Sequence, residues 1–301
     1  MARDVSGTYS LPNPALQAGQ IVSASENQAT RADMAAALTD SLSRTGNGGM
    51  QANLAMGANR ITNLAASVAA NDAARRDEIT TTNVLINPNF NVNQRGYISG
   101  TATTAANQYT VDRWRVVTLG ESLAWTEALG VRTATAPAGG IEQVVEGASL
   151  RSGTYTLTWT GTATATVNGT ATVNNGAVTL TGGSNATVRF SGGTVSSPAL
   201  VRGNVAGNVE VRPLSQEFQL CYRYYYQLVV NIRLNSSGPE TFTGIFPVHM
   251  RIEPALTTIN LSELNVSSYT PSNRGANGFQ VDVNFSAAGL ATRLLQANAE
   301  L

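Results

Sequence analysis

The stretch "TYTLTWTGTATATVNGTATVNNGAVTLTGGSNATVRFSGGT", Thr154 to Thr194, decides the fold class. Its larger apolar residues recur at every second position, as in Tyr155, Leu157 and Trp159 or Val188 and Phe190, with threonine or arginine between them. A period of two marks a strand with one face on a core and the other in water. The intervening threonines are β-branched and favour the same extended backbone. "VNGT" and "VNNGA" interrupt the runs, and their Asn and Gly residues suit tight hairpin turns. Strands are expected over Tyr155 to Trp159, Ala163 to Val167, Ala177 to Thr181 and Thr187 to Phe190. Rungs of a β-solenoid would have a similar composition. At roughly 20 or more residues per rung, however, the stretch makes only about two, too few to stack. Two antiparallel hairpins closing a sandwich explain the alternation more simply.

Similar signals continue on both sides. Further strands are expected over Val84 to Ile86, Tyr109 to Val117, Val209 to Val211, Tyr222 to Val230, Thr243 to Pro247, Leu256 to Ile259 and Gln280 to Phe285. Short, evenly spaced strands separated by turn residues indicate a sandwich or jelly roll. Leu290 to Leu301 is compatible with a helical turn or a last strand. Alternation would put Tyr222, Tyr224 and Tyr226 on one strand face and Arg223 with Tyr225 on the other. One of these faces suits a core, and the other suits either a sugar ring or a trimer contact.

Upstream of about Thr80 the composition turns to Ala, Gly and Asn. Residues 23–45 carry helical signals: Ser23 and Glu26 stand in capping-box spacing, and Gly46 stops the run. Met34, Leu38 and Leu42 recur every fourth residue, a narrow apolar stripe suited to self-association, or alternatively to lying on a single-chain domain. Such a helix would be about 30 Å long.

Residues 46–82 hold few large apolar side chains, Met50, Leu54, Met56, Ile61 and Leu64 among them. One copy buries too little to offset a backbone ordering cost of roughly 1 to 2 kcal/mol per residue. Three copies about an axis would supply the missing cover; a flexible linker is the alternative reading. The expected trimer core is Met34, Leu38, Leu42, Leu54, Met56, Ile61 and Leu64. Residues 1–22 are proline- and glycine-containing, with little periodicity, and read as an irregular docking arm.

The chain has 301 residues, and its 19 basic side chains, all arginine, balance 19 acidic ones. Neutrality gives no electrostatic case for nucleic acid or an anionic membrane. No apolar run reaches the 18 or so residues of a membrane span, so membrane insertion is not expected. Nor is a cleaved secretion signal, since no charged segment leads into an apolar one. Cys221 is the only cysteine and reads as a small buried hydrophobe. His249, the only histidine, reads as packed on a strand.

Several of these segments resemble known phage proteins. The order L-x-M-G-x-x-x-I-T-x-L at Leu54 to Leu64, followed by D-A-A at Asp72 to Ala74, is similar to a short fibrous module near the N-termini of bacteriophage tail fibres. "DVSGTYSLP", Asp4 to Pro12, looks like the opening that fixes such fibres to the tail, which implies tail or baseplate docking through Tyr9, Leu11 and Pro12. "NVLINPNFNVNQRG" (Asn83 to Gly96), "YTVDRW" (Tyr109 to Trp114), the segment from Phe190 to Leu228 and "FPVHMRIEPALT" (Phe246 to Thr257) resemble a jelly-roll domain of phage receptor-binding proteins. Pro88 stands where that family usually has glycine. The resemblance implies a mainly β chain: an N-terminal helix and a short trimeric fibrous module, then a jelly-roll β-sandwich over 83–301.

The implied function is a homotrimeric, virion-borne tail fibre attaching a phage to its host by multivalent binding to cell-surface glycan. The alternatives are a structural adaptor or connector fibre carrying another component and, less favoured, a polysaccharide-cleaving tailspike. One His and one Cys, with no nucleophile elbow and no metal-ligand spacing, argue against an enzyme and imply no cofactor. Paired carboxylates remain formally open. "SSYTPSNRGANG", Ser267 to Gly278, is the expected recognition loop. Tyr269 supplies an aromatic plane, Arg274 a donor fork, and Asn273 and Asn277 amides. Asp112 and Arg113 are expected to pair with one another, with Trp114 buried beside them.

Overall fold

The computed structural model describes residues 19, 21, 23–39, 57, 58, 61–65, 73, 80–203, 208, 209 and 211–301. They belong to two units, Met1–Leu64 and Ala65–Leu301. In the first, helix α1 (Ala24–Thr39) begins at the capping box read from the sequence. Ser23 Oγ accepts from the Glu26 amide at 3.2 Å, and Glu26 Oε2 accepts from the Ser23 amide at 2.9 Å, so two end groups of the helix find partners. Tyr9, Leu11, Pro12, Leu42, Leu54, Met56 and the side chain of Leu38 lie outside the described residues.

The second unit opens with β1 (Thr80–Thr81), which pairs in parallel with β13 (Asn208–Val209). Between them lie β2 (Gln108–Tyr109), β3 (Arg115–Val116), β4 (Ala124–Ala128), β5 (Val131–Ala136), β6 (Ile141–Val145), β7 (Gly153–Thr160), β8 (Thr164–Val167), β9 (Thr170–Thr172), β10 (Gly176–Leu180), β11 (Ala186–Ser191) and β12 (Gly193–Arg202). They form a sheet ordered β10-β7-β12-β5-β4 and another ordered β2-β3-β6-β11-β8-β9. Tyr155, Leu157 and Trp159 from the first and Val188 and Phe190 from the second share one core. The mainly β, sandwich-like expectation is met.

Three segments differ from their sequence reading. Val84 to Ile86 is not a strand; the isolated Asn83–Val201 bridge stands just before it. "YTVDRW" is no continuous strand: the Trp114 amide donates to the Val111 carbonyl at 3.1 Å, and Arg113 takes a φ of 70°, making a turn between β2 and β3. The strand expected from Tyr222 starts later, at β14 (Tyr225–Leu234), because Leu214–Tyr222 is a helix, α2. Pro213 at its start and the spacing of Leu214, Phe218 and Cys221 are helix signals. The face-by-face alternation of the tyrosines therefore does not hold, since Tyr222 ends α2 and Tyr224 precedes β14.

After β14 come β15 (Gly238–Ile245), β16 (Ala255–Asn273) and β17 (Gly278–Asn298), which settles the last segment as strand. β14 and β15 run one after the other along one side of β17, and β16 runs along the other side. Fully extended, the 19 residues of β16 would reach about 60 Å. Yet Asn273 Nδ2, at the end of β16, donates to the carbonyl of Pro254, just before its start, at 2.8 Å. Likewise the rings of Tyr226 and Phe246, near opposite ends of the β14–β15 run, lie 6.2 Å apart. The three-stranded ribbon is thus doubled over, and its halves enclose a second core that includes Val230, Phe279, Val281, Val283 and Leu295. Register shifts in β16 at Asn260/Ser262, Leu264/Val266 and Val266/Ser268 mark the fold-over. Apolar residues in 83–301 accordingly gather in two clusters, one in the sandwich and one in the ribbon.

Gly289 sits at the bend because nothing larger fits. A Cβ there would lie 2.3 Å from the Leu264 carbonyl oxygen and 2.6 Å from Phe285. Gly289→Ala is expected to cost about 1–3 kcal/mol by overpacking. Urea unfolding measures the loss, and a wild-type midpoint would contradict the tight bend.

Candidate functional site

The four expected glycan residues do not form one loop. Tyr269 and Asn273 lie in β16, and only residues 274–277 make the turn into β17. Tyr269 packs against the ribbon core with the Arg293 guanidinium 4.4 Å from its ring centroid. Burial raises its pKa, and its hydroxyl has no partner among the described residues. Asn273 ties the two ends of β16 together. Arg274 and Asn277 are exposed, with Arg274 hydrogen-bonded to Gln280. The turn lies at the root of the ribbon, where the Met250 and Phe246 amides bond the carbonyls of Ala276 and Asn277, both at 2.9 Å. His249 is exposed rather than packed, with Nδ1 2.8 Å from the Met250 carbonyl, while Cys221 is buried as expected.

Where ribbon meets sandwich, charges are buried and paired. Asp112 and Arg113 turn to different partners instead of to each other. Asp112 accepts from the Gln94 amide at 2.6 Å and pairs with Arg95 at 3.5 Å; Arg113 pairs with Glu300. Burial raises the Asp112 pKa against the opposing pull of Arg95 and Gln94. Tyr224, whose ring faces Arg113 at 3.6 Å, hydrogen-bonds Glu146 at 2.9 Å. Burial is the largest cause of its pKa being pushed up to about 12, so it stays a phenol donor.

A cavity of about 350 Å³ opens where Asn83–Asn91 passes β5, β12 and the start of α2. Its deep polar groups are spent within the protein. Asn83 Oδ1 accepts from the Leu85 and Leu200 amides, both at 3.0 Å, and Asn87 bridges the backbone of Val92 and Asp112. Arg212 donates to Glu217 at 2.8 Å and to the carbonyls of Asn83 and Leu85 at 2.5 Å each. Pro88 lies inside a turn whose Asn87 and Phe90 have φ of 54° and 56°.

Nearer the mouth the amides are half used. Asn89 Oδ1 accepts from Ser197 Oγ at 3.2 Å, and Asn91 Nδ2 donates to the Gly130 carbonyl at 3.1 Å. Asn89 Nδ2 and Asn91 Oδ1 have no protein partner among the described residues. Sequence reasoning passed over Asn89, Asn91 and Ser197. The Asn-Pro-Asn turn and the Ser-Pro dipeptide signalled irregular backbone there, but not its convergence on one cavity.

Comparison with protein families, curated proteins and solved structures finds no match.

Proposed function

We propose that this chain is the subunit of a homotrimeric phage tail fibre that attaches the virion to its host, docking to a tail or baseplate protein through residues 1–22. The observation that carries the proposal is apolar surface left uncovered in the N-terminal unit: Ile21 is 91 %, Met34 45 %, Ile61 64 % and Leu64 37 % exposed. Side chains of this kind, in a segment with so little apolar mass of its own, suit burial against other copies. Trimerisation would also multiply weak single-site binding by about a hundredfold to ten-thousandfold, which is what glycan attachment without catalysis needs.

Light scattering on the full chain should give three times the 31.5 kDa subunit mass, and Met34→Glu with Ile61→Glu should shift it towards one. Fluorescently labelled protein should decorate susceptible bacteria. A well-folded monomer at micromolar concentration would overturn the trimer, and a trimer that leaves cells bare would overturn attachment.

The adaptor reading has its own support. Val229, Leu294 and Ile259 lie side by side across β14, β17 and β16, with Leu264 beside Leu290 nearer the bend. Val229, Ile259 and Leu264 are exposed, an apolar outer face suited to carrying another component. A trimer that does not bind cells would favour this second reading.

A further inference from the structure

We propose that the cavity at Asn89, Asn91 and Ser197 holds one neutral sugar ring; the choice of ligand class rests on the attachment reading above. Its volume of about 350 Å³ falls in the range of small-ligand pockets. A sugar hydroxyl both donates and accepts. The free donor of Asn89 and the free acceptor of Asn91 offer both roles at one mouth, and their orientation is fixed by the bonds to Ser197 and Gly130. Pro88, Pro198 and Val131 supply an apolar wall for the C–H face of the ring.

The charge balance selects against acidic sugars. Arg212, the arginine lining the cavity, is paired with Glu217 and spends its remaining reach on backbone carbonyls. Among the described residues lining the cavity, no cation is therefore left to hold a carboxylate or phosphate. Backbone strain points to the same place. Ser197 takes a φ of 47° although a proline follows, at the bulge in β12 between Ser196 and Ala199, and Phe90 takes 56°. Both are costly for residues with a side chain, and strain of this kind clusters at binding sites. The bulge aims the Ser197 hydroxyl at Asn89.

The test is saturation-transfer NMR on the full chain with a panel of methyl glycosides: glucoside, galactoside, mannoside, rhamnoside and N-acetylglucosaminide. N-acetylneuraminic acid and glucose 6-phosphate serve as charged comparisons. At least one neutral glycoside should show transfer that falls by tenfold or more in Asn89→Ala/Asn91→Ala, and the charged sugars should show little. Val131→Trp, which crowds the cavity while leaving Asn89 and Asn91 unsubstituted, should abolish the signal at an unchanged melting temperature. This second variant decides the matter if the first unfolds. Absence of transfer from every neutral glycoside, transfer unchanged in the variants, or stronger transfer from the charged sugars would overturn the proposal. Cell decoration separates the two readings. Variants that still decorate bacteria sink the cavity alone, whereas wild-type protein that decorates none sinks attachment itself.

Discussion

Arg113→Ala is expected to lower the unfolding free energy by about 3–5 kcal/mol, the usual cost of leaving one half of a buried ion pair behind. Arg113 is 1 % exposed. Its guanidinium pairs with Glu300, donates to the Val144 carbonyl at 2.5 Å and lies 3.6 Å from the Tyr224 ring centroid. Truncation leaves Glu300 with Arg95 at 3.2 Å as its remaining cation and strips a buried carbonyl of its donor. Arg113→Lys should recover little, because an ammonium lacks the planar fork that meets a carboxylate, a carbonyl and a ring together. Arg113→Met combined with Glu300→Leu should be far milder than either single loss, since no buried charge is then orphaned. Denaturant unfolding followed by tryptophan fluorescence measures all three variants. A loss below about 1 kcal/mol for Arg113→Ala would mean that water reaches the pair.

Arg113 belongs to the sandwich and Glu300 follows the ribbon's last strand, so this pair also couples the two cores. Arg251 reinforces the joint, donating to the carbonyls of Ala299 at 2.8 Å and Glu300 at 2.9 Å. Weakening it should let the ribbon unfold before the sandwich, turning one transition into two.

What could be read from the chain is what is written locally. The four strands expected within 154–194 fall within a residue or two of their bounds, because turn residues and alternation sit next to each other in sequence, but they do not form two hairpins: β7 pairs with β10 in one sheet and β8 with β11 in the other. β6 escaped notice because Ile141–Val145 is buried on both faces, which erases alternation. Its outward Glu142 is covered by Arg115 and Arg189, at 2.5 and 2.7 Å. The end of β17 was ambiguous for a related reason: Leu294 faces outward beside the inward Leu295, so the apolar pattern has no single period. The doubled ribbon is set by bulges and by Gly289, whose meaning lies in a close approach to a residue 25 positions away. Ser267–Gly278 has a loop's composition, yet most of it pairs along β17, and cross-strand pairing outweighed local polarity. Asn89 and Asn91 were invisible as a site because which amide atoms remain free is decided by Ser197 and Gly130, far along the chain.

Trp114→Ala should be as damaging as the loss of Arg113, by a different route. The indole is fully buried between Phe90 at 5.0 Å and Phe190 at 6.1 Å, and Phe190 in turn meets Trp159 at 5.4 Å. Removing it opens a cavity that the two sheets cannot close, a loss of about 3–5 kcal/mol. The ring nitrogen also donates to the Asn87 carbonyl at 2.9 Å. Trp114→Phe retains much of the packing and removes one of that carbonyl's two donors, leaving the Phe90 amide at 3.1 Å, so it should cost about 0.5–1.5 kcal/mol. The difference between the two variants separates packing from the hydrogen bond. Asn87 starts the turn that carries Asn89, so the phenylalanine variant should also weaken glycoside transfer at the neighbouring cavity. Unchanged transfer in a destabilised Trp114→Phe protein would show that Ser197 alone holds Asn89 in place.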